Sequence, residues 1–171
     1  MASGMTSSMM LTALCDVLRD MFKDKRFTGQ ERKKRIKVYE WELPISTDND
    51  EDVDTDDAAA PFIIVSLESG TINSPDETQI VNAIMTICCY DDGTERLGYK
   101  EVNNIKEDIV QRFCKTRYFG GWFTILMDEY HPIDWAMQKD PTDPYYYGAV
   151  SMWVTIPAMT QEQDERIGGL V

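Results

Sequence analysis

The sequence has little of what metal sites and nucleophilic catalysis require. It contains one histidine, His131, and four cysteines, of which none forms a Cys-x-x-Cys pair. Structural zinc sites need clustered Cys and His ligands, so we expect no zinc. The Gly-x-Ser-x-Gly elbow of the α/β-hydrolases and the Gly-rich phosphate-binding loops are also missing. No enzymatic activity and no cofactor are therefore predicted, and the cysteines are expected to be reduced, as in a cytosol.

Basic residues and long apolar runs are scarce as well. The chain has 17 Lys and Arg against 30 Asp and Glu, a net charge of −13, and residues 1–40 hold nine of the 17 basic residues. Phosphate binding needs clustered Lys and Arg, so the acidic remainder is not expected to bind DNA. No segment approaches the roughly 20 apolar residues of a membrane helix. Residues 1–14 also lack a charged start followed by an apolar core, so neither membrane insertion nor secretion is expected.

What the sequence does contain is enough apolar material for a core. Hydrophobic residues make up 43% of its 171 positions and aromatic residues 11%, which argues against a disordered protein. The length fits one domain. We predict a single α+β domain over residues 1–157, followed by a loosely held tail at 158–171.

Hydrophobic periodicity locates the elements of this domain. Three- and four-residue spacing predicts an N-terminal helix over 6–24 and a second helix near 98–115. Apolar runs and alternation predict strands, and short loops between consecutive strands favour antiparallel pairing. The expected fold is a mostly antiparallel sheet of four to five strands flanked by the two helices. The predicted strands are 37–43, 62–67, 80–90, 122–130 and 145–156.

An acidic run lies between the first two predicted strands. It lies in a polar segment, 44–60, that we expect to be a flexible loop. Its alternating aspartates resemble the start of a calcium loop, which requires Gly at position 6 and Glu at position 12. Counted from Asp48 those positions are Val53 and Ala59, so a solvated loop or a surface that repels charged partners is favoured over a calcium site. The seven carboxylates are Asp48, Asp50, Glu51, Asp52, Asp54, Asp56 and Asp57.

Two further groups of residues are candidates for contacts with other molecules. A basic stretch is either a charged loop or a docking surface for an acidic partner, such as the acidic face of an identical subunit. Alternation along the last predicted strand places aromatic residues on both faces, so one face can join the core and the other must be covered by a helix, by residues 132–141 or by another chain. Tyr and Trp are enriched where proteins meet. These candidates are Arg32, Lys33, Lys34 and Arg35 in the basic stretch, and Tyr145, Tyr147 and Trp153 on the strand.

An ordered series of short motifs resembles a known family. The series begins with Glu40-Trp-Glu-Leu-Pro44, a polar insertion and Pro61-Phe-Ile-Ile-Val65, and a strand ending in Tyr90-Asp-Asp follows. It continues with Gly98-Tyr-Lys-Glu-Val-Asn-Asn-Ile-Lys-Glu-Asp-Ile109 and closes with Tyr147-Gly-Ala-Val-Ser-Met-Trp153 and Pro157. Over roughly residues 10–157 the sequence is similar to the tail terminator and head-to-tail joining proteins of long-tailed bacteriophages.

The resemblance implies a structural protein of the virion rather than an enzyme. Such proteins form a homo-oligomeric ring of six subunits that caps the tail tube and stops its polymerisation. The implied partners are the tail tube protein and the head connector or stopper protein, with DNA passing through the channel without specific binding. Assembly would occur in the host cytoplasm. The competing functions are another phage neck or baseplate component, a calcium-dependent binding module, and a small hydrolase that uses His131.

Overall fold

The computed structural model describes residues 5–27, 35–44, 60–140 and 143–158. In these residues two helices accompany one seven-stranded sheet, which confirms the α+β class. The helices are α1 (Ser7–Phe22) and α2 (Gly98–Lys115). The strands are β1 (Lys37–Glu40), β2 (Phe62–Thr71), β3 (Gln79–Tyr90), β4 (Tyr118–Phe119), β5 (Phe123–Leu126), β6 (Asp134–Met137) and β7 (Tyr145–Ile156).

The sheet is mostly antiparallel, as predicted, and its strands follow the order β1-β2-β3-β7-β5-β4. Its centre is the long pair β3 and β7, which stays in register from Gln79 opposite Ile156 to Tyr90 opposite Tyr145. The other side of β7 is shared by two short strands, β6 along its first half and β5 near its end. Only β1 and β2 run parallel to each other.

Both helices cover one side of the sheet, which we call the inner face. Residues of β7 alternate strictly, and every second one, from Tyr146 to Ile156, is buried in the main core together with apolar residues of α1 and α2. Helix α2 lies on β3 and β7, whereas α1 lies on β1 and β2 and also reaches β4. Since β1 and β4 end opposite edges of the sheet, the sheet curls around α1.

Local sequence explains where α1 begins. The hydroxyl of Thr6 accepts a hydrogen bond from the backbone nitrogen of Met9, at 3.2 Å, so Thr6 is the N-cap of the helix. Six residues of α1 are buried at helical spacing, which explains why the periodicity of this segment predicted the helix.

The predicted number of strands, four to five, is wrong. Strand β6 lies where no strand was predicted, and it forms because β7 leaves an open edge beyond β5. Strand β4 has two residues and gives no periodic signal. The first strand ends at Glu40 instead of residue 43, and the strand predicted at 122–130 is confined to β5. Strand β2, in contrast, continues to Thr71, past a bulge between Leu67 and Ser69.

Candidate interaction surfaces

Many of the charged residues singled out in the sequence lie outside the described residues. These are the acidic run, Asp48, Asp50, Glu51, Asp52, Asp54, Asp56 and Asp57, and three members of the basic stretch, Arg32, Lys33 and Lys34. Arg35 is described and is exposed directly before β1. The role of the charged segments therefore stays a prediction.

The three aromatic candidates share one face of β7. Tyr145, Tyr147 and Trp153 are all half-buried, and they alternate with the buried residues of the inner face. They belong to the side of the sheet that faces away from the helices, which we call the outer face. Their role as an interface stays a prediction.

Near one end of the central strands the outer face carries a second, smaller apolar cluster, which we call the outer cluster. Phe62, Cys88 and Tyr147 lie side by side on three neighbouring strands, and the rings of Tyr90 and Tyr145 meet edge to face with their centroids 5.3 Å apart. Burial raises the pKa of the Tyr147 phenol to about 12 and that of the Cys88 thiol to about 11, so both are neutral near pH 7. Its members are Ala60, Phe62 and Cys88, with Tyr39, Leu43, Ile64, Tyr90, Tyr145 and Tyr147 packed against them.

The third aromatic candidate, Trp153, is covered by a turn that contains the only histidine. The ring of His131 meets the Trp153 indole edge to face, at 5.2 Å between centroids. The Oδ1 atom of Asp128 accepts hydrogen bonds from the backbone nitrogens of Tyr130 and His131 and lies 2.8 Å from Nδ1 of His131. The hydrogen bond to His131 is the main cause of the lowered pKa of Asp128.

On the same face of β7 as Trp153, the hydroxyl of Ser151 is paired with a buried amide. The Oγ of Ser151 donates to Oδ1 of Asn82 and accepts from Nδ2 of the same side chain. Asn82 is buried, so this reciprocal pair satisfies an amide that would otherwise be costly to bury. In the part of the chain that the structure describes, no three His, Cys, Asp or Glu side chains are grouped in a way that could hold a metal ion.

A groove of about 830 Å³ lies between α1 and the hairpin formed by β4 and β5, and sequence reasoning did not find it. We call it the α1–hairpin groove. Its walls are mostly apolar, and methionine side chains, which adapt to irregular partners, contribute strongly. Two carboxylates of α1 and one guanidinium of α2 border it. The residues that define it are Met5, Met9, Ala13, Asp16, Val17, Asp20, Met21, Arg112, Trp122 and Phe123.

Two glycines shape the hairpin side of this groove. Gly120 has φ +60°, and a Cβ at this position would lie 2.8 Å from the Cβ of Ala13 on α1. Glycine is therefore needed both for the left-handed backbone and for the close approach to the helix. Gly121 has φ +77° but no atom near its missing Cβ. The turn leaves the side chain of Trp122 61% exposed at the rim of the groove.

A second surface feature missed from the sequence is the backbone of Trp41, directly after β1. Its φ is +67°, a left-handed value that is rare for bulky residues. The backbone nitrogen of Glu42 donates to the carbonyl oxygen of Glu40 at 2.8 Å, so Trp41 is the centre of a tight three-residue turn. The indole is 49% exposed. No signal in the sequence distinguishes this position from the strand that was predicted through residue 43.

Two backbone carbonyl groups at the β1 edge beside Trp41 accept hydrogen bonds from within the chain. The guanidinium of Arg19 donates to the carbonyl oxygen of Val38 at 2.9 Å, and the carbonyl of Glu40 accepts from Glu42. The two carbonyl groups belong to alternate residues of an edge strand, where unpaired backbone groups can hydrogen-bond to a strand of another molecule. These two hydrogen bonds therefore leave fewer free acceptors along this edge.

A third exposed tryptophan, Trp135 on β6, covers a buried cation. The ammonium group of Lys106 on α2 lies 3.9 Å from the centre of the Trp135 ring and also contacts Glu107. The Lys106 side chain is only 3% exposed, so the indole face and the Glu107 carboxylate compensate for the loss of water around its charge. This tryptophan therefore has a partner within its own chain.

Searches against known protein families and against curated proteins find no match to this chain. No helix in the described residues is long and apolar enough to cross a membrane.

Proposed function

We propose that the chain is a structural subunit of a phage virion, the tail terminator that caps the tail tube and joins it to the head. In this role six copies form a ring, and DNA passes through the channel of the ring without specific binding. The tail tube protein lies on one side of the ring and the head connector or stopper protein on the other. The role needs no catalysis and no cofactor.

The observation that supports this proposal most is the presence of two unlike surfaces on separate parts of the molecule. The α1–hairpin groove lies beside α1, on the helix side of the sheet, whereas the outer cluster lies on the outer face of the central strands. A ring requires a contact between two different patches of each subunit, because a contact between identical patches would end at a dimer. A chain with unlike apolar surfaces on the two sides of its sheet meets that requirement.

Charge supports the same proposal in a second way. A net charge of −13 gives the subunit, and more so a ring of six, a field that repels nucleic acid. A channel for DNA benefits from such repulsion because the passing duplex must not adhere. The acidic run Asp48–Asp57 would be most effective at the channel or its rim, and this location is part of the proposal.

Electron microscopy of the purified protein in negative stain tests the proposal directly. We expect closed rings with six-fold symmetry, and caps at the end of tail tubes when tube protein is added. A ring that binds only the end of the tail distal to the head would instead favour a baseplate component. Monomers that neither form rings nor bind tubes would contradict both assignments.

A further inference from the structure

Strand β6 has little that holds it in place. It has four residues, none of them buried, and in the described part of the chain it pairs with β7 alone. The backbone nitrogen of Gln138 extends this pairing by one hydrogen bond, to the carbonyl oxygen of Tyr147 at 3.0 Å. Segments with few buried contacts and exposed backbone hydrogen bonds open locally at a lower free energy than the core of a protein. By this criterion β6 should separate from β7 before the rest of the sheet opens.

A buried charge lies directly beside this weakly held strand. Among the residues that the structure describes, Lys106 of α2 is the only charged one that is buried. Its ammonium group lies 3.9 Å from the centre of the Trp135 ring of β6 and also contacts the carboxylate of Glu107, a side chain that is 49% exposed. An indole face and one carboxylate replace only part of the hydration of a group with three donors. The burial of this charge therefore opposes the closed position of β6.

The register of β6 explains why the cover over Lys106 belongs to this strand. Trp135 lies opposite Val150, which is buried on the inner face, so its indole points to the side of the sheet where α2 lies. Met137 lies opposite Gly148 on the same side, and a Cβ at Gly148 would lie 3.0 Å from the sulfur of Met137. Both side chains must leave with β6 when the strand separates from β7. Such an opening returns Lys106 to water and frees the edge of β7.

We propose that β6 is a strap that opens and closes on a folded subunit, and that the charge of Lys106 favours the open form. In the closed form Trp135 covers the ammonium group and β6 occupies the edge of β7. In the open form the ammonium group is hydrated and this edge of β7 is free to pair with another strand. The strap is a property of the single subunit, so it and the proposed ring can fail independently of each other.

Chemical modification of lysine amines tests the opening in the unchanged protein. Lys106 reacts with sulfosuccinimidyl acetate only when the strap is open, whereas the exposed Lys100 needs no opening. Peptide mass spectrometry should find Lys106 modified roughly 10- to 1,000-fold more slowly than Lys100, at a rate that changes little up to about 1 M urea. A rate that rises with urea as steeply as global unfolding does would overturn the strap, because the amine would then be reached only by unfolding.

Trp135→Ala tests whether the indole is the cover. Its loss should speed the modification of Lys106 by at least roughly 10-fold, in line with a desolvated cation–π contact. Trp122→Ala is the matched control, because this indole is also more than half exposed, at 61%, but belongs to the turn between β4 and β5. Circular dichroism shows that both variants are folded. An unchanged rate at Lys106 in folded Trp135→Ala would overturn the proposal.

Lys106→Met tests the role of the charge. Methionine has a similar length and packs on an indole without a need for water, so the strap should open less often. The backbone amide of Gln138, which bonds to Tyr147, should then exchange with solvent deuterium roughly 10-fold more slowly in NMR spectra than in the unchanged protein. Lys100→Met, at an exposed position of the same helix, is the control and should leave this exchange unchanged. Equal or faster exchange in Lys106→Met would overturn the proposal, because the charge would then not favour the open form.

Discussion

The two faces of the sheet differ in what they bury and in what they leave exposed. The inner face is apolar and covered by α1 and α2, and its residues Val150 and Met152 are buried in one core with Phe113 of α2, none of the three being exposed. The outer face mixes aromatic and polar side chains, most of them half-buried, and its polar groups pair with one another, as Asn82 does with Ser151. The difference indicates that the inner face supplies most of the folding stability, whereas the outer face and the sheet edges hold the groups available for assembly.

The largest difference in stability is expected between an aromatic residue of the main core and one of the outer cluster. Phe113→Ala should lower the free energy of unfolding by about 3–5 kcal/mol, because it leaves a cavity in the core beside Phe119. Tyr145→Ala, in the half-buried outer cluster, should cost only about 1–2 kcal/mol. Urea unfolding of both variants measures the difference. Equal losses would show that the outer face contributes to folding as much as the inner one.

Two adjacent glycines in the turn between β4 and β5 allow a second comparison of stability. Gly120→Ala should destabilise the protein by about 2–4 kcal/mol, because it adds both left-handed strain and a clash with Ala13. Gly121→Ala adds the strain alone, for a loss of about 1–2 kcal/mol. Thermal unfolding compares the pair. A larger loss of stability in Gly121→Ala than in Gly120→Ala would contradict the close approach of the hairpin to α1.

The polar pair of the outer face should give a smaller effect. Ser151→Ala removes the partner of both ends of the buried Asn82 amide, so we expect a loss of about 1–3 kcal/mol. Ser66→Ala, on a half-buried position of the same face, serves as the control and should change stability by less than about 0.5 kcal/mol. Equal effects of the two substitutions in urea unfolding would exclude a special role for the pair.

The smallest expected effect is on the pH dependence of stability. The pKa of Asp128 is lowered in the folded protein from its ordinary 3.8, mainly by the hydrogen bond to His131. Its contribution to stability is therefore present above the unfolded pKa and is lost as the pH falls through the lower, folded pKa. Asp128→Asn should make stability less steeply dependent on pH below about pH 4. If urea unfolding between pH 2 and pH 5 gave Asp128→Asn the same pH dependence of stability as the unchanged protein, this account of the turn over Trp153 would be contradicted.

The sequence predicted the periodic parts of the fold well. Both helices and the long strands β3 and β7 were recognisable because each carries a clear apolar pattern, a stripe in the helices, a nearly continuous run in β3 and strict alternation in β7. The alternation of β7 also showed that Tyr145, Tyr147 and Trp153 share one face of the strand. Patterns of this kind are visible in sequence because burial on one face repeats at the period of the element.

Features that depend on tertiary contacts were not recognisable. Strands β4 and β6 have two and four residues, too few to show a period, and they exist because β5 and β7 offer edges to pair with. The α1–hairpin groove arises where the curled sheet brings β4 back to α1. The left-handed turn at Trp41 was missed for a different reason, since Trp favours strands and nothing nearby signals a turn.

The mass of the purified assembly tests the central claim most directly. Native mass spectrometry or light scattering should give one closed species of about 118 kDa, six times the 19.7 kDa of the chain, without larger or open-ended oligomers. A stable monomer, a dimer that does not grow, or an open series of oligomers would contradict a closed ring built from two unlike surfaces.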